Sequence, residues 1–241
     1  MKRIVIIGAT SGIGLEVARL FLKAGWMVGA AARREELLEA LRMEAPAQVV
    51  TRRIDINDTK ADKELRALIE ELGGVDIYLH ASGIGYYNPT LDSEKELSTA
   101  TTNGVGFVRM VRTAYDYMAS HGGGRLAAIS SIAGTKGLGM APAYSATKRM
   151  QNCYLDALAQ HARLEKTGVK ITDIRPGFVR TSLLADRPYP LLMEVEPVAR
   201  AIFRALMKGR RRVVIDTRYR LLVALWRLIP QWLWEHLPIK N

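Results

Sequence analysis

Cysteine is almost absent: Cys153 is the only one in the chain. No disulfide can form within the chain, so a framework of cross-linked loops is excluded, and a reducing compartment, the cytoplasm, is expected. Histidine is scarce too, with four in 241 residues, and no His/Cys cluster has the spacing of metal ligands. No metal is therefore expected. The start, "MKRIVIIGATSGIG", lacks the longer apolar stretch and small-residue cleavage site of a signal peptide. It reads as a buried first strand. No low-complexity linker or internal repeat interrupts the chain, so no domain boundary is expected. Acids are missing near the end. From Arg200 to Asn241 there are ten Lys or Arg but only Asp216 and Glu235, which puts +8 of the total +11 in that segment. Such asymmetry points to an anionic partner: a phosphate-bearing ligand, a membrane surface or nucleic acid. A merely solubilising surface is the plain alternative.

What is present fits one sizeable α/β domain, since 49% of the residues are hydrophobic. Short apolar runs occur at 3–7, 27–31, 48–54, 75–81, 124–130, 169–174 and 211–216. Helix-like segments lie near 12–25, 34–45, 59–73, 94–121 and 142–166, between the first six of these runs. The alternation predicts a doubly wound parallel sheet, Rossmann-like, with helices on both faces.

"IVIIGATSGIG" places Gly8, Gly12 and Gly14 directly after the first strand and before the amphipathic "LEVARLFLKAG". Glycines there permit a tight turn and let a pyrophosphate approach backbone N–H groups at a helix N-terminus. The second strand ends "GAAARREELL". Ala32 stands where an NAD site has its ribose-binding acid, and Arg33 and Arg34 follow. An arginine there can pair with a 2′-phosphate, so NADP(H) is expected over NAD(H). The alternative is that both arginines open the next helix and pair with Glu35 or Glu36.

Further on, "APAYSATKRM" sets Tyr144 and Lys148 four positions apart, on one face of a helix. A free phenol has a pKa near 10 and is a poor acid at neutral pH; a nearby ammonium stabilises the phenolate. The pair reads as a tuned proton donor. Ser130 and Ser131 lie upstream, Ser131 by 13 residues.

With these motifs in hand, residues 1 to 216 resemble the short-chain dehydrogenase/reductase family. The resemblance rests on "GATSGIG", "NGVG" (Asn103 to Gly106), "ISSIAG", "YSATK", "RPGFVRT" (Arg175 to Thr181) and Asp55 in "RIDIND". It implies that Tyr144 is the general acid or base and that Lys148 lowers its pKa and holds the nicotinamide ribose. Ser131 would bond the substrate carbonyl, Asn103 would position a water in a proton relay, and Ser130 would be structural. It also implies a cofactor site of Gly8, Thr10, Ser11, Gly12, Ile13 and Gly14; Arg33 and Arg34; Asp55 and Ile56; Ala81, Ser82 and Gly83; Tyr144 and Lys148; and Pro176, Gly177, Val179 and Thr181. A homodimer or homotetramer is implied as well. Where the family often has Asn-Asn-Ala-Gly, this chain has "HASG", His80 to Gly83. His80 there is open to two readings, a structural residue or a base. Ile7 replaces a threonine that often precedes the first glycine.

The expected organisation is an NADP-binding domain over 1–217 with its active site built in, then a basic, aromatic extension over 218–241. That extension holds Trp226, Trp232 and Trp234, three of the four tryptophans. Its apolar runs are broken by Arg227 and Pro230, too interrupted to span a bilayer. It suits peripheral contact with an anionic membrane, a lid over an apolar substrate, or packing against a partner subunit. Its "IP…LP" ending is also similar to that of reductases acting on lipid-linked keto-sugars. The expected substrate loop, 182–196, is mostly apolar, so a bulky hydrophobic or lipid-like ketone or aldehyde is expected. The rival class is an NADP-sensing regulator or a nucleic-acid binder on the same fold. The full Asn–Ser–Tyr–Lys set argues against the first. The lack of a DNA-reading motif argues against the second.

Overall fold

The computed structural model describes residues 1–184 and 189–239. Its strands are β1 (Arg3–Ile7), β2 (Met27–Ala32), β3 (Val49–Arg53), β4 (Ile77–His80), β5 (Gly124–Ile129), β6 (Val169–Pro176) and β7 (Arg212–Ile215). All pair in parallel, in the order β3-β2-β1-β4-β5-β6-β7. The helices are α1 (Gly12–Lys23), α2 (Glu35–Glu44), α3 (Ala61–Glu71), α4 (Ser93–Ala100), α5 (Phe107–Ser120), α6 (Pro142–Leu164), α7 (Val195–Lys208), α8 (Thr217–Leu228) and α9 (Gln231–His236).

The sheet is buried on both faces, which is why its strands are apolar without strict alternation. In β1, Ile4 and Ile6 enter one core with Phe21 of α1, Leu41 of α2 and Ile202 of α7. Val5 and Ile7 enter the other, with Leu68 of α3, Phe107 of α5 and Leu155 of α6. The chain winds outward from β1 to β3, then returns to lay β4 on the other side of β1. That reversal opens a crevice at the carboxyl ends of β1 and β4, where ligands of such sheets bind.

Three features depart from the sequence reading. The expected single helix over 94–121 is α4, a π-helical turn (Thr101–Gly106) and α5. Wide turns of this kind occur inside helices, often at functional sites. Here the turn brings the helix against the loop after β3. Asn57 Nδ2 donates to Thr102 Oγ1 at 3.0 Å, and a Cβ on Gly106 would stand 2.9 Å from the Ile56 side chain. Second, α7 had no counterpart in the sequence reading. It closes on Gly209, whose φ of +68° ends the helix in the left-handed region. Third, the segment 218–241 does not stand off the fold over its described part. Tyr219 and Val223 of α8 belong to the core. The Tyr219 hydroxyl donates to the carbonyl of Pro190 or Leu191, at 3.0 and 3.1 Å, and accepts from the Phe178 N–H at 3.2 Å.

Candidate active site

The turn after β1 has little room for side chains. Gly8 has φ +89°, and a Cβ on it would stand 2.9 Å from the Ser82 backbone nitrogen, at the carboxyl end of β4. A Cβ on Gly14 would collide with the Gly8 carbonyl, so α1 starts hard against the strand end. Ser11, the N-cap of α1, is extended and makes no side-chain cap bond, and the first turn holds no acid. Its leading N–H groups and positive dipole end are left for an anion. Arg34 lies over this turn: its Nη2 donates to Thr10 Oγ1 at 3.2 Å and Ser11 Oγ at 3.0 Å. Arg33 is exposed beside it. These features fit a phosphate-bearing dinucleotide.

The other expected cofactor residues gather along the same edge. Ala81, Ser82 and Gly83 follow β4, and Ala81 N–H donates to the Ile7 carbonyl at 2.8 Å. Asp55 receives the Asn57 N–H at 3.0 Å, and Ile56 beside it is buried. Pro176 ends β6, and Gly177 N–H donates to Ile215 at 3.1 Å. Val179 is buried and bridges to Met193. Thr181 Cγ2 lies 3.1 Å from where a Cβ on Gly12 would stand, so this segment comes back over the α1 end that also carries Ile13. Residues 185–188 of the expected substrate loop fall outside the described residues.

Tyr144, Lys148, Ser131 and Asn103 converge at the mouth of the crevice. Tyr144 and Lys148 lie on the first turns of α6, which Pro142 opens. Ser131 caps the short 3₁₀ turn Ile132–Thr135 by accepting from Ala133 N–H at 3.1 Å, its hydroxyl donates to the Pro176 carbonyl at 3.5 Å, and it lies near enough to Tyr144 to act on that phenol's pKa. Lys148 is 4% exposed. Its Nζ donates to the Ile129 carbonyl and to Gln151 Oε1, both at 3.0 Å, and stands 5.7 Å from the Tyr144 ring centroid. The Asn103 side chain exchanges two bonds with the Ile84 backbone, at 2.9 and 2.6 Å.

The electrostatics differ from the sequence expectation. Tyr144 is only partly covered, but desolvation of its phenol pushes the pKa above 10, and the nearby Ser131 hydroxyl opposes this. Lys148, which was expected to set that pKa, is itself pushed down to about 8 by burial, with Asp173 pulling the other way. In the free protein Tyr144 is therefore a protonated donor at neutral pH. The lysine's effect through a bound ribose is not expressed in the free side chains.

His80 and Ser130 have evident partners. His80 is buried, its Nδ1 lies 3.1 Å from the Tyr78 hydroxyl, and Phe107 packs edge-on against it. Burial, helped by the charge of Lys148, pushes its pKa down to about 3. It stays neutral and braces the sheet. Ser130 Oγ donates to Asp173, which pairs with Arg175 Nε at 2.7 Å inside the protein.

Several site residues were not foreseen. A Cβ on Gly85 would stand 2.5 Å from the Tyr144 ring, so backbone lies directly on that ring. Glu96 of α4 receives the Ala143 N–H at 3.0 Å and pins the start of α6. Gln151 links Lys148 to Asn103. Its one legible signal is its place three residues beyond Lys148, on the same helix face.

A doubly wound sheet, a glycine turn at its switch point and a Ser–Tyr–Lys group beside that turn define a dinucleotide-binding protein of the Rossmann kind. Residues 2–189 match the family model described as short chain dehydrogenase. The chain belongs to that family of NAD(P)-dependent oxidoreductases. It is 34% identical over 217 residues to an uncharacterized oxidoreductase of Myxococcus xanthus, covering 87% of this chain and 85% of that one. It is 31% identical to an uncharacterized oxidoreductase of Mycobacterium tuberculosis, covering 98% and 96%. Among solved structures it is similar to a short chain dehydrogenase from Burkholderia cenocepacia in complex with NADP. There the TM-score is 0.79 at 20% identity, covering 95% of this chain and all (100%) of that one. An alcohol dehydrogenase from Thermococcus sibiricus complexed with 5-hydroxy-NADP gives a TM-score of 0.76 at 23% identity, covering 91% and 97%. At those identities the likeness is one of fold.

Among the described residues no helix is long and apolar enough to cross a membrane, and no group of three or more His, Cys, Asp or Glu is placed to hold a metal ion.

Proposed function

We propose that this protein is an NADP(H)-dependent carbonyl reductase for a bulky hydrophobic substrate, with Tyr144 as general acid. The observation that carries the reading is the convergence of Tyr144 with Ser131 and the buried Lys148 ammonium, whose Nζ stands 5.7 Å from the Tyr144 ring centroid, on the sheet edge that also carries an anion-ready glycine turn. When bound, the nicotinamide supplies the hydride. Ser131 holds the substrate oxygen and Tyr144 delivers the proton to it, leaving an alcohol. Gly85 keeps the Tyr144 ring in place from above.

The NADP preference rests on Arg33 and Arg34. Neither forms an ion pair with Glu35 or Glu36 among the described contacts; Glu35 faces Arg53 at 3.9 Å instead. The test is oxidation of NADPH and of NADH against a panel of hydrophobic ketones and aldehydes, in wild type and in the Arg33→Ala/Arg34→Ala double variant. The double variant should weaken NADPH by roughly tenfold or more, the effect of losing a charge-assisted bond, and leave NADH nearly unchanged. Equal weakening of both would return these arginines to the fold.

The substrate class rests on the described tail. Trp234 Nε1 donates to the Gly137 carbonyl at 2.7 Å, and Lys136 Nζ donates to Ile229 at 2.8 Å. Together they frame a groove of about 670 Å³ lined by Leu138, Met140, Trp234, Leu237 and Ile239. Ser145 and Arg149 also line it, each one residue past Tyr144 and Lys148, so it runs along the neighbouring face of α6. This supports a tail acting as one wall of an apolar substrate channel.

A peripheral contact of this protein with anionic membrane is favoured by a different observation. Leu221, Leu225 and Leu228 are 64%, 52% and 78% exposed, in helical register, with Trp232 following at 66%. Arg218, Arg220 and Arg227 flank them. Truncation at 217 would strip Tyr219 from the core, so point changes are the sounder probe. Vesicles of phosphatidylglycerol in phosphatidylcholine should co-sediment the protein at low salt. Binding should fall as screening shortens to ~8 Å, and should vanish in Leu225→Asp/Leu228→Asp. If instead the protein ignores vesicles and the variant shifts an oligomer to a smaller species by light scattering, the stripe is a homodimer or homotetramer contact.

A further inference from the structure

We infer that Gln151 is a positioning residue: its side-chain amide fixes the Lys148 ammonium and ties it to the Asn103 main-chain carbonyl. The inference rests on the proposed function, because it assigns Gln151 a part in the same proton-delivering site.

Gln151 has 0% exposure, and both ends of its amide are engaged. Oε1 accepts from Lys148 Nζ at 3.0 Å, and Nε2 donates to the Asn103 carbonyl at 2.8 Å. The direction of the amide is forced by chemistry, since an ammonium only donates and a carbonyl only accepts. Lys148 has three N–H bonds. The Ile129 carbonyl and Gln151 take two of them at fixed acceptors. The third is left on the side of Gly83, where a Cβ would stand 3.6 Å from Nζ.

The carbonyl end is equally specific. Asn103 lies within the π-helical turn, where the regular α-helical ladder is interrupted. Gln151 thus joins a backbone acceptor of that turn to the buried cation of α6. The resemblance set out from the sequence put a water in a relay at Asn103. Here the bridge between that residue and Lys148 is a side chain. A water in such a place exchanges with solvent and passes protons. A buried amide holds the cation but does not ferry a proton. After Tyr144 gives its proton to the substrate oxygen, the phenolate must regain one from solvent, and the Gln151 amide does not carry it.

The test compares two substitutions whose order a packing role would reverse. Gln151→Met keeps the length, loses both bonds and excludes water. Gln151→Ala leaves space that water can fill, restoring an acceptor for Lys148 and a donor for Asn103. The bridging role expects kcat to fall about tenfold or more in Gln151→Met, the effect of one bond to a charged group, and less in Gln151→Ala. A role in packing alone expects Gln151→Ala to be the worse of the two.

A second measurement needs no substrate. Nitrogen-15 NMR titration of Lys148 in the cofactor-free proteins should place its midpoint about one unit lower in Gln151→Met than in wild type, because the buried ammonium has lost an acceptor. If Gln151→Met does not fold, Gln151→Leu takes its place in both measurements. Wild-type kcat together with an unmoved Lys148 titration in the apolar variant would overturn the inference. Failure of the wider reading is distinguishable, since it would appear as undiminished turnover in Tyr144→Phe whatever Gln151 does.

Discussion

Tyr144→Phe is expected to lower turnover by ~10² or more while leaving NADPH binding and the fold in place. The substitution removes only the hydroxyl. The ring keeps its seat because backbone at Gly85 lies on it, where a Cβ would be 2.5 Å away. Ser131 retains its bonds from Ala133 N–H at 3.1 Å and to the Pro176 carbonyl at 3.5 Å. Dissociation constants from NADPH fluorescence should therefore match wild type while kcat drops. Turnover near the wild-type rate would remove Tyr144 from the chemistry. The pH dependence has a definite sign. Tyr144 is held above 10 by burial, so the donor is protonated across the neutral range. Lys148 loses its proton above about pH 8, so kcat/KM for reduction should decline on the alkaline side of that value. The same shift bears on stability. The unfolded lysine binds its proton up to its usual value of 10.5, above the folded value of about 8, so this group makes the fold more stable as pH rises through that window.

Asp173→Ala is expected to have the largest effect on stability. Asp173 is fully buried, receives the Ser130 hydroxyl and pairs with Arg175, itself 7% exposed. Removing it leaves a guanidinium buried without its counter-charge, a loss of about 3–5 kcal/mol. For a chain of this length that corresponds to a fall in Tm of roughly 10 °C. The carboxylate also supports the charged form of Lys148. The alkaline decline of activity should therefore move to lower pH in the folded fraction of the variant. An unchanged melting temperature would show that the pair contributes nothing net. An unchanged pH profile would show that Asp173 does not act on Lys148.

Both expectations rest on features of different legibility. The alternation of apolar runs, the glycine turn and the Tyr144–Lys148 spacing are local patterns, written over a few residues, and they predicted the doubly wound sheet and the family. They work because a turn needing φ +89°, or two side chains one helical turn apart, is set by neighbours in the chain. Local periodicity did not reveal the break at Thr101–Gly106, because the widened turn is matched to a loop some 45 residues earlier, where Asn57 meets Thr102. It did not reveal α7 either.

The sequence by itself determined which residues could do chemistry here: a glycine-lined turn, an arginine pair, and a phenol with an ammonium on one helix face. Only the tertiary structure decided the state of those groups. Whether burial raises Tyr144 or a neighbour lowers it depends on what packs around the phenol. Whether Lys148 is braced by a side chain depends on the Asn103 carbonyl meeting Gln151, 48 positions apart in the chain. Whether the tail stands free depends on Trp234 reaching Gly137 across 97 positions. Desolvation and hydrogen bonding are set by distance in space, and chain neighbours do not specify that distance between residues so far apart.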